Sequence, residues 1–516
     1  MSDDRFDAGL PHAGSAGDRG VPHGPGCHAQ HTHRQTHRPR PILNVRTFCR
    51  SLTWTATARR RVMPNVDTAH FDLVVIGFGR GGKTLAAAMG RSGKRVAVIE
   101  RSAEMYGGTC PNVGCVPTKS LIHQAETGAG HGEAVEKTRN LTTKLRGVNF
   151  VTLDSIDSVS VLTGQAAFVD PKTVEVSAGD DRLTVTGDTI VINTGAEPVV
   201  PGIPGLAGSP RVHTSTGLIG RENLPRRLAV LGGGHVGIEF ASMFAQFGSE
   251  VTVLDQTPRI LGREDDDVAA AAEQVLVDAG VQFVLDAQVI RMTETDEGAK
   301  LDYRRGDGED SIVVDAVLVA AGRKPATEGL HLDRAGVATT AGGAVEVDDR
   351  LRTSQPHIFA VGDVKGGPQF TYVSLDDSRI VADQLAGRRT RSTADRAHIP
   401  YTLFLTPPLA RVGLTERDAR EQGYAVKVSQ KAVADIVSMP KAKILGETRG
   451  LMKFVIDAET DQILGAALLS VDAQELINTV TLAMRHGVTA TDLRDAIYTH
   501  PSSTEAFNEV LSASRS

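Results

Sequence analysis

Cysteine is scarce in this sequence. There are four in 516 residues, and two of them, Cys27 and Cys49, lie in an N-terminal stretch unlike the remainder. The body therefore keeps only Cys110 and Cys115, which excludes a fold stapled by many disulfides. Long apolar runs are also missing: none approaches the ~20 residues a membrane-spanning helix needs, so no membrane is expected. Positive charge is lacking in the body. The chain totals −6, while residues 1–63 hold ten Arg and four Asp, a net of +6, so residues 64–516 carry about −12. That balance argues against nucleic acid as the main partner. The N-terminus lacks the apolar stretch and small-residue cleavage site of a secretory signal, and a cytoplasmic protein is expected.

Residues 1–67 read as a disordered extension rich in His, Arg, Gly and Pro. It carries His12, His23, His28, His31, His33 and His37, Arg59-Arg60-Arg61 and the only tryptophan, Trp54. Met63 stands just before the first strand and is an alternative start. A redox-regulated module sequestering metal on these histidines is the alternative from another functional class.

The two body cysteines sit in Gly107-Gly108-Thr109-Cys110-Pro111-Asn112-Val113-Gly114-Cys115-Val116-Pro117-Thr118-Lys119. A metal site usually draws more ligands, with further Cys pairs or a close His; none is expected here. A structural disulfide would close a tiny loop in a chain large enough not to need it. A redox-active pair suits the spacing, given an activating group and an electron donor. Lys119, four residues after Cys115, shares its face if a helix begins there.

A strand-turn-helix-strand unit occurs twice. Leu73 to Ile76 is a buried-strand pattern, Gly77-Phe78-Gly79-Arg80-Gly81-Gly82 follows, and Arg95 to Ile99 leads to Glu100. Leu228 to Leu231, Gly232-Gly233-Gly234-His235-Val236-Gly237 and Val251 to Asp255 repeat it at an offset of 155. In each, the first glycine makes the turn, the second admits a pyrophosphate, and the closing acid meets a ribose hydroxyl. Two such units imply two dinucleotides, and beside a dithiol they suggest a relay from nicotinamide through flavin to sulfur. Asp255 favours NADH over NADPH; Arg259 and Arg263 pull the other way. Later segments add Gly195, Gly322, Asp363 after the strand from Ile358, and His500 with Glu505 five residues on, a pairing that suits an acid-base catalyst.

The cysteine stretch, both glycine-rich units, Phe359-Ala360-Val361-Gly362-Asp363 and His500-Pro501-Ser502-Ser503-Thr504-Glu505 resemble, in order, the pyridine nucleotide-disulfide oxidoreductases, among them glutathione reductase, dihydrolipoamide dehydrogenase and mercuric reductase. Within that family the chain is most similar to the reactive-chlorine-resistance flavoprotein reductases. The resemblance implies an α/β fold with two Rossmann-like domains and a C-terminal α+β dimerisation domain. The expected boundaries are 68–213 and 346–396 for FAD, 214–345 for NAD(P), and 397–516 for dimerisation. Gly77, Gly79, Gly82, Glu100, Gly108, Thr109, Gly195 and Asp363 would hold FAD. Gly232, Gly234, Gly237, Asp255 and Gly322 would hold NAD(P)H, and Lys119 would pair with Glu239 beside flavin and nicotinamide. Cys115 would face the flavin and Cys110 the acceptor. His500, oriented by Glu505, would act on the partner chain's site in a homodimer. The acceptor would be a small disulfide or an oxidised metal ion, with a dihydrolipoamide dehydrogenase as the alternative. The absence of a C-terminal cysteine pair and of a front Cys-x-x-Cys domain disfavours mercury. The presence of both Cys110 and Cys115 disfavours soluble transhydrogenases and single-cysteine reductases.

Overall fold

The computed structural model describes residues 68–515; the expected disordered extension, its histidines, Cys27, Cys49 and Trp54 lie outside them. The first sheet grows from β1 (Thr68–Ile76), whose Leu73, Val74, Val75 and Ile76 are all at most 3% exposed. Such an unbroken apolar run suits a strand covered on both faces, each side chain contributing ~2 kcal/mol of burial. Helix α1 (Arg80–Arg91) crosses over to β2 (Val96–Glu100), and the parallel order continues through β3 (Val159–Thr163) on one side and β6 (Asp181–Ile192) on the other. The first half of β6 turns away with an antiparallel pair, β4 (Gln165–Asp170) and β5 (Thr173–Ala178). Its last residues, Ile190–Ile192, take the late strand Ile358–Ala360 as a parallel neighbour, which brings residues 168 positions apart in sequence to one sheet end.

Between β2 and β3 the chain forms α2 (Thr109–Val113), α3 (Cys115–Glu126) and α4 (His131–Asp154). The sequence pattern suggests one helical region from Ser120 to about Arg146. The chain instead breaks at Gly128, whose φ of +77° is a left-handed turn, and α4 runs on to Asp154.

The second sheet is all parallel, ordered Gln282–Val284, Glu250–Leu254, Arg227–Leu231, Ala316–Val319, Val212–His213. The repeat is exact in register: Leu73 pairs with Val96, and Leu228 with Val251. A three-stranded antiparallel meander, Ala287–Val314, packs on one face of this sheet, its Leu301 and Tyr303 clustering with Ala229, Leu231 and Val317. A short ladder, Ala196–Pro198 against Arg323–Pro325, ties the two nucleotide units together. The last part is an antiparallel sheet in the order Tyr401–Leu403, Leu409–Gly413, Ile463–Leu469, Leu451–Asp457, Val426–Ala432, Ser514–Arg515, with helix Ala473–Arg485 packed on it. Among the described residues no helix is long and apolar enough to cross a membrane.

Candidate active site

Helix α1 begins on Gly79 with no side-chain cap, and the helix His235–Gln246 begins on Gly234 in the same way. In α1 the Gly81 N–H donates to Ser374 Oγ at 3.1 Å; the other first-turn N–H groups and the helix dipole of each unit suit an anion. Gly77 holds φ +100° and Gly232 φ +116°, in the left-handed range that favours glycine. Each loop then bonds the acid closing its own unit: Phe78 N donates to Glu100 at 3.0 Å, and Gly233 N donates to Asp255. The repeat thus extends from sequence to hydrogen bonding.

A cavity of about 550 Å³ joins Gly77, Gly79, Glu100, Gly108, Thr109, Cys110, Cys115, Gly195 and Asp363. A second, of about 890 Å³, joins Gly232, Gly234, Asp255 and Gly322. Pro198, Arg323 and Gln369 line both, so the cavities meet at the short ladder. Burial pushes the Glu100 carboxyl above its ordinary range, against the N–H groups of Phe78 and Ser102. Burial does the same to Asp363, with Arg323 and Lys365 opposing. Gly82 and Gly237, expected to hold cofactor, line neither cavity. A Cβ on Gly82 would fall 2.6 Å from Val75 Cγ1, and one on Gly237 would collide with the Gly232 carbonyl. Both glycines pack helix on strand.

Cys110 lies in α2 and Cys115 opens α3, both as free thiols. Gly107 and Gly108 precede α2 with φ +97° and +78°, and a Cβ on Gly108 would sit 2.7 Å from Gly79 Cα. The cysteine segment therefore lies directly on the first glycine-rich loop. Asn112, buried between the cysteines, donates to the carbonyls of Tyr106 (3.0 Å) and Gly108 (2.8 Å) and accepts from Arg146 Nε of α4 (3.0 Å). That bond set fixes α2 and escapes sequence reading.

The two thiols form a hydrogen-bonded pair. The Cys110 S–H bond holds Cys115 well below an ordinary thiol, at about 6, against burial; the Thr371 hydroxyl and Lys119 add to it. Cys115 also stands at the N-terminus of a 12-residue helix, which favours a thiolate. Cys110 moves upward, because the bond to Cys115 and burial keep its proton on. Thr371 Oγ1 is 3.6 Å from Cys115 Sγ. It lies 256 positions away, and nothing local in the sequence marks it.

Lys119 meets both carboxylate oxygens of Glu239 at 2.9 and 2.8 Å. Its ammonium also lies 4.5 Å from the Phe404 ring centroid, and Phe404 N donates to Glu239 at 2.9 Å. His500 Nδ1 is 2.9 Å from Glu505 Oε2, and Ser502 N donates to the same carboxylate at 2.9 Å. The imidazole is 73% exposed, and His500 and Glu505 line neither cavity. Within one chain, then, the cysteines and both glycine-rich loops gather around two joined cavities; the Lys119–Glu239 pair joins α3 to the helix His235–Gln246 without lining either cavity, and the exposed His500 with Glu505 lines neither.

Comparison with known proteins gives a consistent placement. Residues 71–378 match the pyridine nucleotide-disulphide oxidoreductase family, and residues 399–511 match the dimerisation domain of that family. The probable pyridine nucleotide-disulfide oxidoreductase RclA of Escherichia coli (strain K12) is 45% identical over 442 residues, 86% of this chain and 99% of that protein. The dihydrolipoyl dehydrogenase of Thermus scotoductus is 35% identical, covering 86% and 97%, and the mercuric reductase of Staphylococcus aureus 34% identical, covering 83% and 79%. The solved Cu(II) complex of HOCl-induced flavoprotein disulfide reductase RclA from Escherichia coli aligns with TM-score 0.83 at 45% identity, covering 86% of this chain and 99% of that one. With its two nucleotide-binding units, its dithiol and its C-terminal dimerisation domain, this chain belongs to the pyridine nucleotide-disulphide oxidoreductase family.

Proposed function

We propose that this protein is an FAD-dependent reductase that takes two electrons from a nicotinamide nucleotide, holds them on Cys110 and Cys115, and passes them to a disulfide or an oxidised metal ion. The observation that carries this reading is the placement of both thiols in the wall of the cavity built by the first glycine-rich loop. The residues there fit FAD. The α1 N-terminus, which has no N-cap side chain, suits a pyrophosphate, Glu100 suits a ribose, and the buried Thr194 Oγ1 in the same wall has no partner among the described residues. FAD, when bound, supplies the two-electron carrier between nicotinamide and sulfur.

The remaining roles fall to side chains. Cys115 holds the thiolate, steadied by Thr371 and Lys119. Cys110 keeps the proton until an acceptor arrives. Lys119 of α3 and Glu239 of the helix His235–Gln246 neutralise each other. His500, oriented by Glu505, serves the Cys110 of a partner chain in a homodimer, since in its own chain it lines neither cavity. NADH is the favoured donor. Asp255 places a carboxylate at the second loop, which disfavours a 2′-phosphate; Arg259 and Arg263 line the same cavity, Arg259 paired with Asp266 and donating to the Gly262 carbonyl at 3.1 Å.

The acceptor panel follows from the relatives. Cupric ion is included because RclA was solved as a Cu(II) complex, and mercuric ion, lipoamide and other small disulfides because of the other relatives. Anaerobic titration of the flavin-loaded protein with NADH and NADPH tests the core reading. A long-wavelength absorbance band is expected on reduction, absent in Cys115→Ser and present in Cys110→Ser. A protein that takes up no flavin, or that turns over dihydrolipoamide with NAD faster than it reduces any acceptor with NADH, overturns it.

A further inference from the structure

The helix Thr371–Leu385 turns one polar face toward the first cavity. Thr371, Ser374 and Asp377, spaced by three residues, share that face. Thr371 meets Cys115, as described above. Asp377 is fully buried; its Oδ2 accepts from Gly362 N at 2.7 Å, and its charge is answered by Arg396 at 2.5 Å and Lys365 at 3.7 Å. Ser374 stands between them. It is 7% exposed, and its Oγ accepts from Gly81 N in the first turn of α1. It also lines the cavity that Gly77, Gly79, Cys115 and Asp363 share. A Cβ on Gly81 would fall 2.8 Å from Ser374 Oγ, and one on Gly362 2.9 Å from it. The hydroxyl is thus wedged where the α1 N-terminus meets the turn leading into Asp363.

A carboxylate only accepts, whereas a hydroxyl accepts and donates at once. Asp377 therefore simply occupies the Gly362 N–H. Ser374 occupies the Gly81 N–H and still carries a proton of its own. That proton has no acceptor among the described residues, and no carboxylate of the cavity wall bonds it. A buried donor left without a partner is unfavourable. The space beside it is the cavity at a helix N-terminus, where an anionic oxygen is favoured.

We propose that Ser374 is a cofactor-binding residue, its hydroxyl accepting from Gly81 N and donating its proton to a diphosphate oxygen of the dinucleotide held in this cavity. The proposal rests on the FAD reading above. Ser374 extends the reach of a first-turn N–H by one hydroxyl: Gly81 N–H polarises the Ser374 O–H, which strengthens it as a donor. Because the same helix carries Thr371, the bond also ties the diphosphate end of the cofactor to the element that touches Cys115.

The test uses the flavin-loaded protein. Its FAD dissociation constant is read from the fluorescence of flavin set free on serial dilution, and the bound diphosphate is followed by 31P NMR. Ser374→Ala is expected to weaken FAD binding by roughly tenfold, since a hydrogen bond to a charged oxygen is lost. At least one diphosphate resonance should move, with the flavin absorbance maximum unchanged. Ser374→Cys, nearly isosteric and a weaker donor, should fall between Ser374→Ala and the wild type and decides the matter if Ser374→Ala does not fold. If Ser374 serves only as an acceptor for Gly81 N–H, its removal frees that N–H for the ligand. Ser374→Ala that holds FAD as tightly as the wild type, or more tightly, therefore overturns the proposal. So do 31P resonances that overlay the wild type in both variants. Wild-type protein that takes up no FAD overturns instead the reading on which the proposal rests.

Discussion

Replacing Lys119 by methionine isolates what its ammonium contributes. The pair with Glu239 is bidentate at 2.9 and 2.8 Å, with side chains 30% and 13% exposed. At an effective dielectric of about 20, charges that close attract by about 6 kcal/mol. Removing both ions from water cancels most of that. Deletion therefore reports mainly the cost of leaving Glu239 charged and partly buried, with the Phe404 N–H still bound: about 2 kcal/mol. Contact with the Phe404 ring adds about 0.5 kcal/mol. Lys119→Met and Glu239→Gln should each lower the unfolding midpoint of the flavin-loaded protein. The double variant should recover much of the loss, because no buried charge is then unpaired. A second readout is the acidity of Cys115 in the reduced enzyme, which should weaken in Lys119→Met, since a cation favouring the thiolate is gone. Additive losses in the double variant, together with an unmoved Cys115 titration, would refute the reasoning.

Three further outcomes follow from the same geometry. Gly237→Ala drives a methyl into the Gly232 carbonyl and should slow NADH-driven flavin reduction by about 100-fold or prevent folding; Gly147→Ala, in open space within α4, should instead gain about 0.5–1 kcal/mol, and stopped-flow absorbance with thermal melts checks both. The reduced protein should become more stable as pH rises from about 6 to the unfolded thiol value near 8.5, because Cys115 is already ionised when folded and still protonated when unfolded; this contribution is fully present above the unfolded value and is lost as pH falls through about 6. Denaturant midpoints against pH should flatten in Cys115→Ser. Co-expressed His500→Gln and Cys110→Ser chains should regain about a quarter of wild-type acceptor reduction, since random pairing makes half the dimers mixed, each with one complete site; no recovery would place His500 outside the site of the partner chain.

Much of the fold was legible because it rests on local requirements. The glycines of the two loops, the apolar runs before them and the acids after them recur at one offset, and turn, strand and ribose acid each demand their own residue type. The cysteine pair and the family motifs were legible for the same reason. Gly82 and Gly237 were read as cofactor contacts; the structure adds that a side chain on either would meet Val75 or the Gly232 carbonyl, a packing demand visible only with those neighbours in place. The helix break at Gly128 was marked in the sequence by Gly128, Gly130 and Gly132, a signal outweighed in the reading by the longer helical pattern on either side.

What the sequence alone determined is the chemistry available: two thiols, two dinucleotide loops, a lysine with a glutamate, and a histidine with a glutamate. Only the tertiary structure decided how that chemistry is apportioned. It set Cys115 at a helix start beside Thr371, distant in sequence, and left the proton on Cys110. It turned His500 outward from its own chain's cavities. Such assignments depend on burial and on partners tens to hundreds of residues away, and the acidity of a thiol follows from those surroundings rather than from its neighbours in sequence.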